Sequence, residues 1–167
     1  MNGSSLLVLI GHPDRGASRM NHQLAETWSE LGAHVRWIDG KPLDVCAEQQ
    51  AVEAVEHVIL QFPLYWYGVP ACLKQWLDEV LTWGWAFGPE GGMLHPRRLS
   101  CSVTIGGRLI DYTETGKHRM ELTTLLSSLE RTSAYIGMEW GGIKTLDASK
   151  LNELTANSQL KAWLSCW

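Results

Sequence analysis

Hydrophobic and polar positions fall into short blocks along the chain, and the lengths and periods of those blocks predict its elements. Leu6-Leu7-Val8-Leu9-Ile10 is a continuous apolar pentapeptide ending at Gly11, the pattern of a strand buried on both faces of a parallel sheet. From Met20 to Leu31 the apolar residues Met20, Leu24, Trp28 and Leu31 recur at helical spacing, and Gly32 stops the run. His34 to Ile38 reads as a second strand, and Ala47 to Val55 as a second helix. His57 to Phe62 is a third apolar strand, closed by Pro63. Val69 to Leu81 sets Val69, Leu73, Trp76, Leu77 and Val80 on one helical face. Leu99 to Ile105 predicts strand four and Met120 to Ile136 one long helix ended by Gly137. Met138 to Thr145 is the fifth strand and Leu151 to Leu164 the last helix.

Strand and helix alternate five times, which predicts one α/β domain over residues 1–167 with a doubly wound, five-stranded parallel sheet and helices on both faces. Strand order 2-1-3-4-5 follows, with a ligand crevice at the carboxyl ends of strands one, three and four. The long Gly-, Trp- and Pro-rich stretch from Thr82 to Arg98 is expected beside that crevice, since loops of such length in a small domain are usually functional.

Composition narrows the function. With 45% hydrophobic and 19% charged residues the chain can bury a core. A net charge of −4 leaves no electrostatic footprint for nucleic acid or an anionic membrane. No apolar run is long enough to span a bilayer or to form a signal-peptide core, so a cytoplasmic location is expected. The four cysteines form no CxxC pair, which argues against a zinc site and a disulfide framework. Nine tryptophans against two phenylalanines suggest surfaces where a large flat ring is useful, at a ligand or an interface.

If the topology holds, three unusual loops meet at the crevice. The first runs from Gly11 through His12, Pro13, Ser18, Arg19, Met20 and Asn21 into a helix start, where free backbone N–H groups and the helix dipole favour a phosphate. An ordinary capped helix explains this loop equally well by itself. It lacks both GxGxxG and GxxxxGK[ST], which argues against a Rossmann dinucleotide fold. The second loop, Pro63-Leu64-Tyr65-Trp66-Tyr67-Gly68, carries three consecutive aromatics that cannot all be core, because a turn has no single buried face. At least one ring is expected to line the cleft, while one or two could instead plug the space under helix three. The third, Thr104-Ile105-Gly106-Gly107, offers bare backbone to a ligand and continues to the proton-capable Tyr112 and His118. A phosphate-type helix start, an aromatic platform and a glycine turn together suit flavin mononucleotide and call for no metal.

At these residues the chain resembles the NAD(P)H:quinone oxidoreductase family of flavodoxin-like enzymes, which includes bacterial quinone reductases and ancillary proteins of potassium-efflux systems. The run from Pro63-Leu64-Tyr65-Trp66-Tyr67 through Val69-Pro70-Ala71 to Leu73-Lys74, Trp76 and Asp78 is similar to a segment specific to that family. His12-Pro13 with Ser18 and Asn21 resembles its phosphate loop, and Gly84-Trp85-Ala86-Phe87 resembles another of its loops. Thr104 to Gly107 with Tyr112, Gly116 and His118 resembles its TTGG segment. The resemblance implies that Pro63 to Tyr67 and Thr104 to Gly107 hold an isoalloxazine ring and that Tyr112 and His118 assist hydride transfer. It further implies FMN rather than FAD, whose binders are longer chains, and NAD(P)H as co-substrate. A quinone or similar planar molecule would be the acceptor in a two-electron ping-pong cycle, within a homodimer whose sites span the interface. Two other roles are compatible with it: a regulatory flavoprotein docking on the cytosolic domain of a potassium-efflux transporter, and a flavodoxin-type electron carrier, for which −4 is a modest charge. The chain departs from the family after strand two, where only Asp39 to Gln49 remains of a longer segment. It departs again after Trp140, where Gly141-Gly142-Ile143-Lys144 replaces an apolar, Pro-containing strand.

Overall fold

The computed structural model describes residues 6–147, 149–150 and 157–167. Its five strands are β1 (Leu6–Gly11), β2 (His34–Ile38), β3 (His57–Pro63), β4 (Arg98–Ile105) and β5 (Glu139–Asp147), all parallel in the order 2-1-3-4-5. The helices are α1 (Arg19–Glu30), α2 (Val45–Glu53), α3 (Ala71–Val80), α4 (Leu122–Leu125), α5 (Ser127–Tyr135) and α6 (Asn157–Ser165). Of the last predicted helix, residues 151–156 lie outside the described residues.

Leu7 to Ile10 of the first pentapeptide are buried on both sides, and Leu6 is half-buried, because helices cover both faces of the sheet. Leu7 and Leu9 face a cluster with Leu73 and Trp76 of α3, Val52 of α2 and Leu129 of α5. Val8 and Ile10 face the opposite cluster, with Leu24 and Trp28 of α1 and Leu160 and Leu164 of α6. Each such side chain contributes about 1.5–3 kcal/mol by leaving water. Gly11 lets α3 approach: a Cβ there would sit 2.7 Å from the Leu73 Cβ. Buried Glu48 binds three elements together, meeting Arg36 of β2 at 2.5 Å and accepting from Trp76 Nε1 of α3 at 2.9 Å. The thiols are free; Cys72 and Cys101 are buried, and burial raises both above the ordinary thiol range.

Three expectations are corrected. The long helix of residues 120–136 is two helices, interrupted at Leu126 (φ −104°, ψ 13°), whose side chain is buried with Leu122 and Leu129. The run Thr123-Thr124-Leu125-Leu126-Ser127-Ser128 contains hydroxyls that compete for helix carbonyls, and Ser127 Oγ donates to Thr124 O at 2.9 Å. Strand five extends to Asp147 and carries a register shift opposite Leu99–Cys101. Gly141 and Gly142 make that bulge: a Cβ on Gly141 would lie 2.1 Å from Ser100 Oγ, and Gly142 has φ +88°. The third correction concerns Thr82 to Arg98, which does not lie beside the crevice of its own chain. Helix α3 runs antiparallel to the strands, so its end returns the chain to their amino ends. There Trp85 Nε1 donates to Glu53 Oε1 at the end of α2, and Arg97 Nε donates to the Val52 and Val55 carbonyls.

Candidate functional site

The carboxyl ends of β1, β3 and β4 bring the three loops together. Leaving β1, the His12 amide donates to Ile38 O at 3.0 Å and ties the loop to the end of β2. Asp14 accepts from the Gly16 and Ala17 amides at 2.9 and 3.2 Å, capping one 3-10 turn before α1 begins at Arg19. Ser18 is the N-cap residue of α1, yet its hydroxyl does not cap the helix. It accepts from Asn21 Nδ2 at 2.9 Å, and the same nitrogen lies 3.4 Å from Thr104 Oγ1 of β4. The first-turn amides of Arg19, Met20 and Asn21 have no carbonyl partner within the helix, as at any helix start. Ser18 and Asn21 are buried, and Asn21 Oδ1 has no hydrogen-bond partner among the described residues. A buried acceptor left unmet costs about 1–3 kcal/mol, so a donor such as a ligand hydroxyl would be favoured there.

The loop after β3 is a two-residue turn. Tyr65 and Gly68 exchange both backbone hydrogen bonds at 3.0 Å, with Trp66 (φ +49°) and Tyr67 (φ +66°) at its centre. Asn-Gly ordinarily fills such a turn; two aromatic residues there hold strained backbone, a feature that clusters at functional sites. All three rings are open to solvent, Trp66 at 96%, so none plugs the core. Below them Pro63 pairs with Thr104, and the Leu64 amide donates to Thr104 O at 2.8 Å, joining the β3 and β4 loops at the cleft floor. Ile105 is buried behind that floor, while a Cβ on Gly106 would meet nothing within 4 Å.

Beyond Gly107 a second 3-10 turn, Leu109–Asp111, is held on β5 by the Leu109 amide donating to Asp147 Oδ2 at 3.0 Å. The chain then folds back so that the His118 amide donates to Asp111 O. Gly116 is required in this fold-back, because a Cβ would lie 2.6 Å from the Asp111 carbonyl oxygen. Tyr112 and His118, six positions apart, stack with ring centroids 4.2 Å apart. The Tyr67 hydroxyl lies 3.3 Å from His118 Nδ1. Burial, with Tyr67 and Asp111 nearby, raises the Tyr112 phenol above its ordinary range, keeping it a protonated donor. Arg108 holds the Asp111 carboxyl below the usual carboxylate range.

Tertiary structure thus joins Ser18, Asn21 and Thr104 in one network and Tyr67, Tyr112 and His118 in another. Trp66 stands apart, and Arg19 and Met20 can serve through their amides. Sequence reasoning missed a link between the loops: the Tyr65 hydroxyl is 3.0 Å from His12 Nε2. A histidine directly after β1 and a tyrosine two residues after the end of its sheet neighbour β3 are the only signal for it.

A doubly wound sheet with its polar and aromatic groups at the strand carboxyl ends defines the flavodoxin-like class. The family described as flavodoxin-like fold matches residues 4–165, and the chain belongs to it. General stress protein 14 of Bacillus subtilis is 38% identical over 143 residues, 81% of this chain and 80% of that protein. The uncharacterized NAD(P)H oxidoreductase YrkL of the same organism is 36% identical over 143 residues, 80% of each. The glutathione-regulated potassium-efflux system ancillary protein KefF of Salmonella dublin is 35% identical over 140 residues, 81% of this chain and 78% of that one. Among solved structures, general stress protein 14 of Treponema denticola in complex with FMN superposes with a TM-score of 0.86. It is 29% identical and covers 96% of this chain and 95% of its own.

Proposed function

We propose that the chain is an FMN-dependent NAD(P)H:quinone oxidoreductase. The observation that carries this reading is the meeting, at one cleft, of a phosphate-type helix start, a strained aromatic turn and the stacked Tyr112–His118 pair. Relatives named as an NAD(P)H oxidoreductase and a general stress protein solved with FMN support it. The residues present fit the group. Amides of Arg19 to Asn21 and the Ser18 hydroxyl would donate to a phosphate, and the unpartnered Asn21 Oδ1 would accept from a polyol hydroxyl. His12 completes this loop. Pro63 to Tyr67 and the backbone of Thr104 to Gly107 would hold a flat ring. When bound, FMN supplies two-electron hydride chemistry between NAD(P)H and a quinone-type acceptor, in a ping-pong cycle with one slot used in turn.

The protein's own part is orientation, exclusion of water and stabilisation of charge. Tyr112 O–H is a preorganised donor where negative charge grows, and Tyr67 beside His118 Nδ1 holds the imidazole over the Tyr112 ring. The exposed Trp66 and Tyr67 are accounted for by a homodimer in which each turn meets the partner chain's cleft. The test is the absorbance spectrum of the purified protein, followed on adding NADPH and then menadione. A flavin band bleached by NADPH and restored by menadione is expected; no flavin band after reconstitution with FMN would overturn the proposal. The similarity to KefF supports a second reading, docking on a transporter's cytosolic domain. Slow turnover and a stable one-to-one complex would favour that one.

A further inference from the structure

The loop after β4 does more than reach the Tyr112–His118 pair. Between its 3-10 turn, the carboxyl end of β5 and helix α6 lies a cavity of about 440 Å³, lined by Arg108, Leu109, Ile110, Thr145, Lys150 and Trp163. That is the size of a small-molecule site, which ordinarily combines apolar walls with a few fixed polar groups. Leu109 and Ile110 are 48% and 64% exposed, two consecutive apolar residues that bury little within their own chain, and the half-buried Trp163 ring lines the same space. A cation leads the polar groups. The Arg108 side chain is 75% exposed and uses one terminal nitrogen on Asp111 Oδ1 at 3.2 Å, an exposed pair of the kind that contributes little in water. Its remaining guanidinium donors have no partner among the described residues. Lys150 adds a second positive charge to the lining. Asp147, the carboxylate there, already accepts from the Leu109 and Lys150 amides at 3.0 and 2.7 Å, one on each oxygen. The cavity adjoins the cleft through the chain itself: Arg108 directly follows Gly107, so its Cα is one ~3.8 Å step from the backbone offered to a flat ring.

We propose that this cavity receives the adenosine end of a nicotinamide dinucleotide and that Arg108 selects NADPH over NADH by binding the 2′-phosphate. The inference rests on the functional reading above and specifies its reductant. A dinucleotide whose reacting ring stacks in the cleft has a nucleoside end to place, and the same loop walls both spaces. The 2′-phosphate is a monoester with a charge of about −1.5 to −2 at neutral pH, and a guanidinium meets its oxygens with two parallel hydrogen bonds. NADH presents a neutral hydroxyl on that carbon and gains nothing from the charge. Leu109, Ile110 and the Trp163 indole supply apolar surface for the adenine, a flat ring without charge. Arg108 touches the coenzyme away from the reacting carbon, so it sets affinity and leaves the chemical step alone.

The test pairs a binding measurement on apoprotein with steady-state kinetics on FMN-loaded protein. Calorimetric titration of the apoprotein with 2′,5′-ADP and with 5′-ADP isolates the 2′-phosphate, since the two probes differ only there. The first is expected to bind at least about tenfold more tightly, and Arg108→Ala is expected to erase the difference. With menadione as acceptor, wild type should favour NADPH over NADH in kcat/KM. Arg108→Ala should lower kcat/KM for NADPH roughly 10- to 100-fold, through KM, and leave NADH within about twofold. Arg108→Lys, which keeps the charge and loses the fork, should retain part of the preference. Equal binding of the two probes by wild type would overturn the proposal. So would equal losses for NADPH and NADH in Arg108→Ala, which would assign Arg108 to the pyrophosphate or to holding Asp111 and the turn. Ile110→Ser should weaken both probes alike; unchanged affinity for both would place the adenosine outside this cavity. Protein that takes up no FMN, or turns over with neither coenzyme, would overturn the functional reading, while the two probes would still judge the cavity.

Discussion

Replacing Trp66 by asparagine is expected to stabilise the free protein while weakening what it binds. Trp66 holds φ +49° at the centre of the turn and is 96% exposed, so its ring contributes no burial within the chain. Left-handed backbone costs a bulky residue about 1–2 kcal/mol, and asparagine tolerates it through its short polar side chain. The substitution should therefore raise unfolding stability by about 0.5–1 kcal/mol, or roughly 1–4 °C in Tm for a domain of this size. Urea unfolding of the apoprotein, repeated at several protein concentrations, measures it and separates any dimer contribution, which depends on concentration. Dimerisation and ligand affinity, measured in parallel, are expected to fall. A loss of more than 1 kcal/mol at low concentration would refute the strain argument. A gain in stability with unchanged assembly and flavin affinity would refute a functional reason for the strain.

Trp76 should behave in the opposite way: Trp76→Ala removes a buried ring and the indole donor to Glu48, and should cost about 3–5 kcal/mol in urea unfolding with little direct effect on ligand affinity per folded molecule. Tyr112→Phe and His118→Gln should each slow bleaching by NADPH roughly ten- to a thousandfold in stopped flow, equivalent to about 1.4–4 kcal/mol, with FMN content near normal. Wild-type rates would remove both from the catalytic residues. Burial, aided by Arg98, pulls the His57 imidazole from its ordinary 6.5 to about 4. The unfolded chain therefore binds more protons between those values, and stability should fall as pH drops through that window. A fully buried group would lose about 3.4 kcal/mol; His57 is partly open to solvent, so a loss of about 1–2 kcal/mol is expected. His57→Gln should flatten that part of the curve, and an unchanged slope would assign the acid sensitivity elsewhere.

The sheet could be read from the sequence because its cause is local. Five apolar runs too short for helices alternate with segments of helical period, and parallel strands need such crossovers, so order and crevice follow. Candidate site residues were legible for a related reason: residues directly after β1, β3 and β4 must converge once the topology is set. Where local preference and tertiary demand disagreed, the sequence was misleading. Its apolar period runs unbroken from Met120 to Ile136, but Leu126 is drawn into the core and Ser127 takes a helix carbonyl, so the helix breaks. Gly141-Gly142, within the predicted fifth strand, stood out as a departure from the family's apolar, Pro-containing segment and is a bulge that Ser100 requires. Only the packed chain decides which long-range partners meet: Asn21 with Thr104, 83 residues apart, and His12 with Tyr65, 53 apart. Hydrogen bonds of that kind depend on ångström-scale placement by the whole sheet, and no period or spacing in the chain encodes them.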